Sequence, residues 1–230
     1  MDGFRIFPSY PRWWATTVLC VSLALVAGVA TAHAADVEAR DFSVTVDGKA
    51  AGNYHMVIQR RDDGSFVMGA QADVTLKYVV ISYNYKYRGT EVWKDGRLLQ
   101  LDSATDDDGK KYTVNAVAEG NGLRVKANGY ERLAKPDVWL STYWKLPDAK
   151  YRNAAVPLID ADTGRDLNAT LQFVGNEQIK VAGQSVSAAH YRLVGDVKVD
   201  LWYDAQDRML RQDSLEDGHR TVLELTRIRR

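Results

Sequence analysis

From Ser65 to Lys77 the chain alternates with period two: Phe66, Met68, Ala70, Ala72, Val74 and Leu76 are apolar, while Ser65, Gln71, Asp73, Thr75 and Lys77 fall between them. Successive side chains of a strand point to opposite faces, so this pattern predicts a strand with one face buried and one in water. The alternation returns from His190 to Tyr203, where Tyr191, Leu193, Val197, Val199, Leu201 and Tyr203 share one face and Arg192, Asp196, Lys198 and Asp200 lie mainly on the other. Turn signals at Asp47-Gly48, Asp62-Asp63-Gly64, Lys94-Asp95-Gly96, Asp108-Gly109, Gly120-Asn121-Gly122, Asp162-Thr163-Gly164, Ala182-Gly183, Asp204 to Asp207 and Asp217-Gly218 separate runs of strand length. Half-buried strands joined by tight turns make antiparallel sheets, and strands this long favour a curved meander, half-barrel or barrel over a compact sandwich. The predicted fold class is all-β and mainly antiparallel.

One segment breaks the rhythm. From Lys135 to Lys150 there is no alternation; Pro136 can open a helix, Trp139 and Tyr143 are four apart, as are Leu140 and Trp144, and Pro147 closes the segment. This predicts a short helix or compact loop carrying an aromatic wedge. It lies between a first sheet block, Asp36 to about Gly129, and a second, about Ala155 to Ile228. No linker composition separates the blocks, so the wedge is expected to plug one shared sheet.

The first 34 residues carry a different signal. Arg5 and Arg12 precede an apolar run from Ala15 to Ala30, and Ala32-His33-Ala34 supplies small residues where a signal peptidase cuts. The run is shorter than a spanning helix needs. The reading is a signal peptide over 1–34, a single β domain over 35–230, and a periplasmic location. With the leader removed, 30 basic residues less Arg5 and Arg12 leave 28, and 30 acidic residues less Asp2 leave 29. A net charge of −1 with both signs scattered lacks the basic stripe of a nucleic-acid binder. Cys20, the one cysteine, lies inside the apolar run behind Thr17-Val18-Leu19, which lacks the small residue of a lipoprotein signal. The mature chain is then free of thiol chemistry, and no integral membrane segment is expected after cleavage.

Candidate chemistry is sparse. His55, His190 and His219 are not paired at metal-ligand spacing, and Gly183-Gln184-Ser185-Val186-Ser187 ends in serine where a nucleophile elbow needs glycine. Asp160-Ala161-Asp162-Thr163-Gly164-Arg165-Asp166 places alternate carboxylates in a turn, but its glycine is early for a calcium loop and the terminal glutamate is absent, so a plain hairpin turn is the expectation. No metal, cofactor or enzymatic activity is expected. The aromatics lead further. Tyr83, Tyr85 and Tyr87 share a strand face with Val79 and Ile81, and Trp93, Trp139, Tyr143, Trp144 and Trp202 add large amphipathic groups. Such residues fill cores, and as a set in a curved sheet they also suit the lining of an apolar ligand site. Tyr83, Tyr85, Tyr87, Trp139, Tyr143 and Trp144 are the candidate ligand-binding residues.

The run Gly52-Asn53-Tyr54-His55, the stretch from Tyr87-Arg88-Gly89 through Asp95-Gly96-Arg97-Leu98, and Leu201-Trp202-Tyr203-Asp204 followed by Leu210 resemble a proteobacterial family of exported proteins known only as a domain of unknown function. The likeness covers nearly all of the mature chain and implies fold and compartment, with no activity to transfer. More loosely, the helix-plugged, long-stranded pattern is similar to the half-barrels of periplasmic lipoprotein carriers. Three readings follow. The first is a carrier holding a lipid-like or other hydrophobic ligand in a concave sheet, which requires a cavity. The second is a non-enzymatic envelope assembly or protein-interaction factor, which requires a filled core and an exposed patch or edge. The third is an outer-membrane barrel; Thr226-Arg227-Ile228-Arg229-Arg230 lacks a terminal aromatic, and charges interrupt the outward faces.

Overall fold

The structure is a computed structural model that describes residues 36–77, 82–216 and 218–230. The proposed leader, Val79, Ile81 and Asp217 lie outside the described residues. The strands are β1 Val37–Val46, β2 Lys49–Arg60, β3 Phe66–Lys77, β4 Ser82–Lys94, β5 Arg97–Asp107, β6 Lys110–Glu119, β7 Gly122–Ala127, β8 Tyr130–Ala134, β9 Trp139–Leu140, β10 Ala154–Ile159, β11 Asp166–Val181, β12 Gln184–Gly195, β13 Lys198–Tyr203, β14 Met209–Glu216 and β15 His219–Arg229.

Two-residue turns set the meander. Asp47-Gly48, Asp95-Gly96, Asp108-Gly109, Asn128-Gly129 and Ala182-Gly183 all hold positive φ at both central positions. That backbone matches the twist of the strands it joins, which is why Asp-Gly and Asn-Gly recur there. Asn128-Gly129 extends the first block beyond its expected end, adding β8.

The fifteen strands of the described residues form one sheet in the order β8-β7-β6-β5-β4-β3-β2-β1-β15-β14-β13-β12-β11-β10-β9. Neighbours are antiparallel except β9 beside β10. The two end strands, β8 and β9, are consecutive in the chain, and the link from Ala134 to Trp139 can span at most about 18 Å. A flat sheet of fifteen strands would be about 67 Å wide. The sheet must therefore curl until its edges approach each other. Core packing joins them across the seam: Val138, Leu140 and Ile159 cluster with Leu98, Leu101 and Val125. Arg132 of β8 also pairs with Asp166 at 2.9 Å.

The period-two reading of β3 holds, with Met68, Ala70, Ala72 and Val74 all buried. The stretch from His190 to Tyr203 is not one strand. The chain reverses between Gly195 and Lys198, and β12 pairs back on β13 with Arg192 opposite Asp200. The phase survives the reversal, so Tyr191, Leu193, Val199, Leu201 and Tyr203 still face inward.

The wedge is a compact loop, not a helix. Trp139–Leu140 pairs with Leu158 and Ile159 of β10, and Tyr143 has a φ of 47°, which no right-handed helix tolerates. A single 3-10 turn, Ala149–Tyr151, is the one helical element among the described residues. Pairing with β10 and the hydrogen bond from the Trp139 indole to the Lys145 carbonyl (2.9 Å) outweigh the helical spacing.

Candidate functional site

The structure brings five of the six aromatic candidates into the interior. Trp139, Tyr143, Trp144 and Tyr87 are buried in the main core cluster, and Tyr85 packs against it. Trp139 meets Tyr143 edge-on with ring centres 5.0 Å apart. Two main-chain anchors hold this loop: the Tyr203 hydroxyl donates to the Tyr143 carbonyl at 2.8 Å, and the buried Arg40 donates to the Trp144 carbonyl at 2.9 Å. Tyr83 is set apart. Its hydroxyl donates to Asp107 at 2.5 Å, and partial burial together with that carboxylate pushes the phenol above its ordinary range.

Two carboxyl groups, Glu91 buried and Asp162 half-buried, complete the interior. Glu91 of β4 is 0% exposed and accepts from the Thr142 hydroxyl (2.6 Å), the Trp93 indole (2.6 Å) and the Trp144 indole (2.9 Å). Burial pushes its carboxyl up, against the three donors that hold it down. Asp162, in the β10–β11 turn, accepts from the hydroxyls of Tyr85 and Thr105, each at 2.9 Å. Burial, then the charge of Asp160, pushes its carboxyl up to about 7. Between these groups the Tyr54 and Tyr87 hydroxyls are buried with no hydrogen-bond partner among the described residues. Glu91 could have been found from sequence: it continues the inward phase of Tyr83, Tyr85, Tyr87 and Gly89. A charge in that phase marks a buried carboxyl with partners.

Among the described residues no three His, Cys, Asp or Glu side chains converge to hold a metal. Asp160 is occupied as a turn residue, accepting from the Asp162 amide (3.1 Å), the Ser141 hydroxyl (3.3 Å) and the Thr163 hydroxyl (2.5 Å). The histidines stay apart. His55 bonds Asp41 at 2.5 Å and His219 bonds Asp47 at 2.7 Å. His190 lies between Glu177 (2.7 Å) and Asp200 (2.6 Å), stacked on Trp202.

An open concavity lies on the other face of the sheet. A groove of about 890 Å3 runs across the outer surface from β2 to β8. Gln71, Arg88, Asp102, Asn115, Lys126 and Glu131 supply its polar walls, and Gly69 and Ala104 leave room at its floor. Asp102 accepts from the amides of Asn115 (2.6 Å) and Gln100, and Lys126 pairs with Glu131 at 3.3 Å. Tyr130, 81% exposed, stands at one end. No local signal in the sequence marks this groove, because its walls come from seven strands.

This β architecture agrees with what the chain resembles. Residues 42–226 match the family described as Domain of unknown function (DUF6134). The chain belongs to that family. No curated protein matches the DUF6134 chain. Among solved structures the DUF6134 chain is similar to one titled "Crystal Structure of Beta-barrel-like Protein of Domain of Unknown Function DUF1849 from Brucella abortus". The match has a TM-score of 0.58 and 11% identity, and it covers 84% of this chain and 96% of that one. At this identity the likeness speaks for a barrel-like fold alone.

Proposed function

We propose that this DUF6134 chain is a non-enzymatic, exported protein of the periplasm that works by binding at its outer surface. The observation that carries the reading is where the space is. Val138, Trp139, Leu140, Tyr143, Trp144 and Leu146 pack into the core, where a lipid would have to sit, while the groove of about 890 Å3 lies outside. That volume falls within the range of ligand sites. The distribution of polarity argues against a lipid-embedded barrel, which needs an apolar outer band. Here Met56, Met68, Tyr87 and Leu101 face inward, and Gln71, Arg88, Asp102 and Asn115 face outward. On this reading Tyr87, Trp139, Tyr143 and Trp144 are core residues that hold the barrel shut.

Native mass spectrometry of the mature protein, purified from periplasm without detergent and then extracted with organic solvent, tests it. The expected result is the bare mass of the chain from about Ala35 and an extract free of lipid. A stoichiometric apolar adduct would overturn the outer-surface reading in favour of a carrier whose aromatic loop moves aside.

A further inference from the structure

We infer that the outer groove takes an extended, uncharged glycan chain. The inference rests on the outer-surface reading above and adds the ligand's chemistry. Three observations support it.

The first is charge. The groove holds Arg88 and Lys126 against Asp102 and Glu131, two of each sign, so these charges balance. A phosphorylated or nucleic-acid ligand would call for an excess of cations.

The second is the kind of polar group presented. In the groove Asn115 donates to Asp102 across neighbouring strands, Asp102 is held also by Gln100 from beside the groove, and Gln71 and Arg88 stand nearby with no partner of their own among the described residues. Planar amide, carboxylate and guanidinium groups can each meet two adjacent hydroxyls at once. The Asn115–Asp102–Gln100 array is held in place before any ligand arrives, so little rotamer freedom remains to be lost on binding. A peptide strand would gain less here. The backbone of β2 to β7 is already paired on both sides, and the groove crosses the strands instead of following one.

The third is shape. From β2 to β8 the groove crosses six strand spacings, at most about 29 Å, which is long enough for several sugar rings in line. At its end the Tyr130 ring offers a broad apolar surface on which the C–H face of a sugar ring can lie.

The test is a titration of the mature protein with chitohexaose and cellohexaose, two uncharged extended chains, followed by amide NMR. Saturable shifts are expected for Gln71, Arg88, Asn115 and Tyr130, and not for the opposite side of the barrel around His190. Arg88→Ala and Asn115→Ala each should weaken binding about tenfold. Both residues are exposed, so the fold should tolerate the change. Tyr130→Ala should weaken it similarly, while Tyr130→Phe retains it, because the ring and not the hydroxyl makes the contact. Absence of saturable shifts with both sugars would overturn the glycan inference. A protein captured by a photo-crosslinker placed at Gln71, in the absence of saccharide binding, would also overturn it and would assign the groove to a protein partner. Either result leaves the outer-surface reading standing if the native mass is bare, and a bound lipid would remove both.

Discussion

Asp162→Asn should change the pH dependence of folding. Asp162 is enclosed by Tyr85, Thr105 and the β10–β11 turn, and its carboxyl is pushed from 3.8 up to about 7, first by burial and then by the nearby charge of Asp160. The folded state therefore holds this proton over a range in which the unfolded chain has released it. With the folded pKa above the unfolded one, the stabilisation is complete below about pH 4 and is lost as the pH rises through about 7. A window of about three pH units, at about 1.4 kcal/mol each, amounts to about 4 kcal/mol. Asparagine keeps an oxygen to accept from both hydroxyls and does not titrate. The difference in unfolding free energy between Asp162→Asn and the parent should grow in favour of the variant by up to about 4 kcal/mol between pH 4 and pH 8. Urea unfolding monitored by tryptophan fluorescence at one-unit pH steps measures it. Parallel stability curves for the two proteins would refute the reasoning, since they would mean that Asp162 titrates alike in the folded and unfolded chains.

Glu91→Ala leaves three donors, the buried Thr142 and Trp144 and the half-buried Trp93, without an acceptor, and should cost about 3 kcal/mol at about 1 kcal/mol each. Glu91→Gln keeps one acceptor oxygen for the indoles and should cost less than about 1 kcal/mol; equal losses in urea titrations would show that the hydrogen bonds are not what matters. Trp139→Ala and Trp144→Ala each remove a buried ring from the core and should cost about 3–5 kcal/mol, with binding per folded molecule in the outer groove unchanged by NMR. Gly52→Ala drives a Cβ into the backbone of Asp73 on β3 and should cost about 3 kcal/mol, whereas Gly129→Ala meets open space and should cost only about 1 kcal/mol for its φ of 86°. Thermal melts of the two glycine variants separate these causes.

Local patterning determined the all-β class, the inward face of β3 and four of the five two-residue turns with positive φ, because alternation and Asp-Gly pairs act over a few residues and need no distant partner. The same logic extends to Glu91, whose phase with Tyr83, Tyr85 and Tyr87 on one strand places it inside. Three features depended on contacts that no window of sequence contains. Trp139 to Trp144 has helical spacing, yet its backbone follows β10, Arg40 and Tyr203 and its Thr142 and Trp144 side chains follow Glu91, partners up to about a hundred residues away in the chain. The reversal after Gly195 leaves the alternation of β12 and β13 in phase, so the pattern alone does not reveal that the chain turns. The outer groove arises only when the sheet curls and gathers outward side chains from seven strands, each of which by itself reads as an ordinary wet face. Periodicity separates inside from outside along one strand; where the outer surface becomes concave is decided by how fifteen strands close on one another.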